Sequence, residues 1–114
     1  MKYKEKKPSK ENVLALGDAV ELFGRKWKIC ILRNLSCGEM RFKDLQEAAA
    51  GISPKVLSKE LQDLEQNLLI TRTVNKTKPI TVSYAITDHA TKTVPVINAL
   101  LEFGLSHRKK IKEG

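Results

Sequence analysis

The chain has 114 residues, 41% hydrophobic and 30% charged, a composition that suits one folded domain and argues against wholesale disorder. Twenty-one lysines and arginines oppose 13 acidic residues, giving a net charge of +8 and favouring a polyanionic partner. No run of about 18 apolar residues is present, so a membrane-spanning segment is not expected. No signal-peptide pattern opens the chain, and a cytoplasmic location follows by default.

Residues 1–8 are lysine-rich and aperiodic and read as a flexible basic arm. Ser9 is a good N-cap for a first helix, in which Val13, Leu16, Val20 and Phe23 recur at helical spacing. Gly24 ends it. A second helix, from about Arg25 to Leu35, carries Trp27, Ile29, Cys30, Ile31, Leu32 and Leu35 around most of its circumference, so it is predicted to be the central buried helix. A short extended piece near Glu39-Met40-Arg41 precedes a third helix, about Phe42 to Ala50, with Phe42, Leu45 and Ala49 on one side.

Gly51-Ile52-Ser53 then breaks the chain. Ser53 can cap the next helix, and Pro54 suits its first position, where no N–H is needed. That fourth helix, Pro54 to about Asn67, places Leu57, Leu61 and Leu64 on one face and Lys55, Ser58, Lys59 and Gln62 on the other.

The period next falls to two. Ile70–Val74 and Ile80–Ile86 read as strands, joined by a basic tip over Asn75 to Pro79. Thr87 is expected to cap a C-terminal helix containing Val94, Ile97, Leu100, Leu101 and Leu105. Pro95 should kink that helix or mark its true start. The basic tail, residues 108–114, is expected to fray.

The fold class that follows is mainly α with a small β-hairpin: one winged helix-turn-helix domain over residues 9–107. The major groove of DNA admits one helix, which must bury one side and offer polar groups on the other. The fourth helix does both. Gln62 can pair with adenine, and Lys55 or Lys59 can reach guanine or phosphate. The helix start at Ser53 offers free N–H groups to phosphate. Arg72, Lys76 and Lys78 make the hairpin a cationic wing for the DNA backbone or minor groove, although lysines there also discourage edge-to-edge aggregation. Arg41 and Lys43 are further phosphate candidates.

These residues resemble the HxlR family of winged-helix transcriptional regulators, relatives of the MarR group. The carriers are Gly24-Arg25-Lys26-Trp27 with Ile31-Leu32-Arg33; Arg41-Phe42-Lys43-Asp44-Leu45; Gly51-Ile52-Ser53-Pro54-Lys55-Val56-Leu57-Ser58; and Leu61 with Leu64-Glu65. Arg72, Pro79, Val82, Tyr84, Ile86-Thr87 and Pro95 follow. The resemblance implies a homodimer joined through the N- and C-terminal helices, with the fourth helix reading double-stranded DNA and the hairpin as wing. It departs from the family pattern in four places. No cysteine precedes Cys30, so the thiol sensing of some members does not carry over. Leu68, Ala90 and Phe103 replace an expected glycine, glycine and tryptophan. Asn67 is expected to take the left-handed conformation in place of Leu68.

Enzymatic chemistry is not expected. His89 and His107 lie at no metal-ligand spacing from a cysteine, and no phosphate loop or nucleophile motif is present, so neither metal nor cofactor is predicted. Cys30 and Cys37, seven positions apart, do not suit an intrachain bridge. Cys30 is expected in the core and Cys37 at the surface, where it is a candidate redox thiol. A small-molecule or redox effector is left open. The alternative to a DNA-binding regulator is a winged-helix module that holds a protein partner.

Overall fold

The computed structural model describes residues 9–114, so the basic arm of residues 1–8 lies outside the described residues. Five helices and three strands follow in order: α1 (Lys10–Phe23), α2 (Lys26–Leu35), β1 (Met40–Arg41), α3 (Phe42–Ala48), α4 (Pro54–Gln66), β2 (Ile70–Asn75), β3 (Thr81–Ile86) and α5 (Thr93–Glu113).

The cap at Ser9 forms as expected, its Oγ accepting the Asn12 N–H at 3.0 Å. Little of α1 meets its own domain. Leu22 and Phe23 pack against the core, whereas Val13, Leu16 and Val20 are 61–68% exposed. By contrast α2 is central: Ile31, Leu32 and Leu35 are fully buried. Its first turn is less enclosed than the sequence predicts, because Trp27, Ile29 and Cys30 are only half-buried.

β1 does more than link two helices. Met40 pairs with Tyr84 and Arg41 with Ser83, so the expected two-stranded hairpin is a three-stranded antiparallel sheet of order β1-β3-β2. A two-residue strand has no period to read, which is why the pairing is invisible in the sequence. β2 and β3 pair from Ile70–Ile86 to Asn75–Thr81. Near the wing end, the Asn75 side-chain amide donates to Thr81 Oγ1 at 3.1 Å and to Ser83 Oγ at 2.7 Å. The second bond satisfies a buried hydroxyl.

α4 ends in a way the sequence reading missed. Asn67 has φ −90° and Leu68 has φ +65°, so Leu68, not Asn67, takes the left-handed conformation. The amide of Leu68 donates to Glu65 O and that of Leu69 to Leu64 O, a Schellman closure. That pattern fixes which position turns left-handed, whatever residue occupies it. Leu64 and Leu69 are both buried beneath it.

Thr87 caps a 3-10 turn at His89–Lys92 rather than the long helix itself. Its Oγ1 accepts the Ala90 N–H at 3.1 Å and donates to Leu68 O at 2.9 Å. α5 then begins at Thr93 with Pro95 in its first turn, so the proline marks the start. The tail does not fray: α5 continues to Glu113. Cations at the C-terminal end suit the helix dipole, and Lys109 reaches Glu113 one turn on, at 4.0 Å.

The core gathers α2, α3, α4, the sheet and the start of α5 around Ile31, Leu32, Leu35, Leu45, Leu57, Leu61, Leu64, Ile70, Tyr84 and Ile97. Beyond Ile97, α5 leaves it. Leu100, Leu101, Phe103 and Leu105 are 42–67% exposed.

Candidate nucleic-acid interface

The turn between α3 and α4 decides how α4 is presented. Helix α3 stops at Ala48, slightly earlier than expected, and Gly51 has φ +94°, a backbone that residues with a Cβ rarely adopt. Ile52, buried, anchors the turn. Ser53 Oγ then accepts the Val56 N–H at 3.2 Å, and Pro54 occupies the first helical position. Capping leaves the Ser53 hydroxyl proton available to donate.

Leu57, Leu61 and Leu64 are 0–2% exposed, so α4 is held by one face. Lys55, Ser58, Lys59 and Gln62 are all exposed on the other side. Ser58 and Gln62 share a groove of about 410 Å³ with Arg72 of β2 and the ring of Tyr84. Arg72 thus stands beside α4 as well as on the wing. Lys59 lies on the opposite flank, along a groove of about 640 Å³ between α4 and the α1–α2 pair.

Lys76 and Lys78 are exposed in the connection between β2 and β3. Arg41, in β1, and Lys43, in the first turn of α3, are exposed as well. Asp44 Oδ2 accepts the Arg41 N–H at 3.4 Å and steadies that helix start. Cys37 is exposed and free, beyond the end of α2, while Cys30 is half-buried rather than enclosed in the core.

Sequence reasoning missed Lys28. Its Nζ bridges from α2 to the flank of α4, 3.1 Å from Glu60 Oε2 and 3.3 Å from Asp63 Oδ2. A contact across 32 residues leaves no local signal in the sequence.

A helix, a glycine turn, a helix pinned by leucines and a β-wing define a winged helix-turn-helix protein. The chain belongs to the HxlR-like helix-turn-helix family, whose model matches residues 22–112, a family of DNA-binding transcriptional regulators. An HTH-type transcriptional regulator of Methanothermobacter thermautotrophicus is 34% identical over 86 residues, which cover 75% of this chain and 66% of that protein. The reduced form of the transcriptional regulator YodB from Bacillus subtilis superposes with a TM-score of 0.71 at 31% identity, covering 78% of this chain and 87% of that one. A MarR-family regulator from Porphyromonas gingivalis superposes with a TM-score of 0.78 at 28% identity, covering 89% and 97%.

Proposed function

We propose that the protein is a sequence-specific transcriptional regulator that binds duplex DNA as a homodimer, with α4 in the major groove and the β2–β3 wing on the backbone or in the minor groove. One observation carries this reading. The outer face of α4, with Lys55, Ser58, Lys59 and Gln62, is exposed while its leucine face is buried, and Arg72 of the wing stands alongside. Phosphate contacts from Ser53, Lys55, Arg41, Lys43, Lys76 and Lys78 set position; Gln62, Ser58 and Lys59 read bases.

Dimerisation is supported by the terminal helices. Val13, Leu16 and Val20 on α1, and Leu100, Leu101, Phe103 and Leu105 on α5, are apolar and exposed in the single chain. A second copy covering them places two α4 helices in successive major grooves about 34 Å apart. The reading assigns no enzymatic turnover and a cytoplasmic location. Among the described residues no helix is long and apolar enough to cross a membrane. Cys37 is the thiol that a redox effector meets first.

Selection of bound duplexes from a random pool tests this. The expected result is enrichment of a pseudo-palindrome with half-sites about one helical turn apart. A pool that stays unenriched, with no salt-dependent affinity for any duplex, overturns the reading in favour of a protein-interaction module.

A further inference from the structure

Lys28 stands in the first turn of α2, where a cation opposes the positive end of the helix dipole. That turn contains no acidic residue, and the helix has no side-chain N-cap bond. Local preference therefore disfavours lysine here. Its side chain is 14% exposed and is held by Glu60, 15% exposed, and Asp63, 36% exposed.

α4 itself carries Lys55 and Lys59 against Glu60, Asp63 and Glu65, a net charge of −1 in a chain of +8. Glu60 and Asp63 lie on the flank between the leucine face and the reading face. Lys59 borders the same groove, as do Asp18, Glu21 and Arg25. An anionic flank close to phosphates repels them within a screening length of about 8 Å at physiological salt.

We infer that Lys28 is a built-in counter-charge for the reading helix: by pairing with Glu60 and Asp63 it offsets one of their two negative charges, weakens the field of that flank and lets α4 approach DNA. Lys28 acts through those carboxylates and touches no phosphate itself. The inference rests on the DNA-binding reading above.

The test uses the full chain, a labelled duplex spanning two successive major grooves, and four proteins compared well below their melting temperatures. Lys28→Met, which keeps the apolar stem, is expected to weaken binding about three- to tenfold, the size of a few partly screened charge–charge terms. Glu60→Gln/Asp63→Asn is expected to bind at least as tightly as wild type, because it removes the repelling charges. The triple variant is expected to recover wild-type affinity or better. A merely structural brace gives the opposite sign: the carboxylate double variant then binds more weakly, and the triple variant stays as weak as Lys28→Met. Either of those results, or affinity within twofold for Lys28→Met, overturns the inference. If Lys28→Met does not fold, the sign of the double variant decides. Wild-type protein that holds no duplex defeats the regulator reading itself, and is distinct from every outcome above.

Discussion

The amide of Leu69 donates to the carbonyl of Leu64 at 2.9 Å, and this bond forces Leu68 between them to φ +65°. A left-handed leucine costs about 1–2 kcal/mol relative to ordinary backbone. Leu68 is 72% exposed and returns little by packing. Leu68→Gly relieves the strain, offset in part by the greater freedom of glycine in the unfolded chain. The expected net gain is about 0.5–1 kcal/mol, seen as a higher melting temperature at fixed protein concentration.

At the other end of α4, Ser53 caps the helix, and the proposed function makes it a phosphate contact as well. Ser53→Ala is expected to cost about 1 kcal/mol of stability through the lost cap. It should also weaken duplex binding, measured below the melting transition. Ser53→Asp keeps a cap acceptor but adds negative charge, so it should fold well and bind DNA worse than Ser53→Ala.

The exposed apolar residues of α1 and α5 give a test of assembly. Leu16→Glu/Leu105→Glu places carboxylates on the surface assigned to the partner copy, where unpaired charge is costly. Light scattering is expected to report twice the 12.8 kDa chain mass for wild type and the single-chain mass for this variant. Wild type that remains monomeric at micromolar concentration contradicts the dimer.

The two thiols differ in exposure, Cys37 being open and Cys30 half-buried. A thiol-reactive probe is expected to label Cys37 faster, and Cys37→Ser should remove the fast phase. Equal rates contradict the assignment of Cys37 as the accessible thiol.

What the sequence made legible is what depends on local chemistry. The spacing of Leu57, Leu61 and Leu64 identified the buried face of α4, and with it the exposure of Lys55, Ser58, Lys59 and Gln62. Ser53-Pro54 identified the helix start to the residue. Features set by distant partners were not legible. The pairing of Met40 with Tyr84 joins residues far apart in the chain, and nothing in a two-residue strand announces it. The left-handed Leu68 follows from how α4 closes against Leu69, not from leucine's own preference. Lys28 reads as one more surface lysine until the fold brings Glu60 and Asp63 to it. The basic end of α5 looked like a fraying tail because charge density alone does not reveal the dipole and ion-pair terms that favour helix there.

The salt dependence of duplex affinity tests the central claim most directly, measured for wild type and for Lys55→Ala/Lys59→Ala. If the outer face of α4 meets DNA, wild-type affinity falls steeply with salt. The double variant then binds more weakly, and the slope of log affinity against log salt shrinks by roughly 0.9 for each lysine that had met a phosphate. Identical affinity and identical slope in the two proteins would contradict the account.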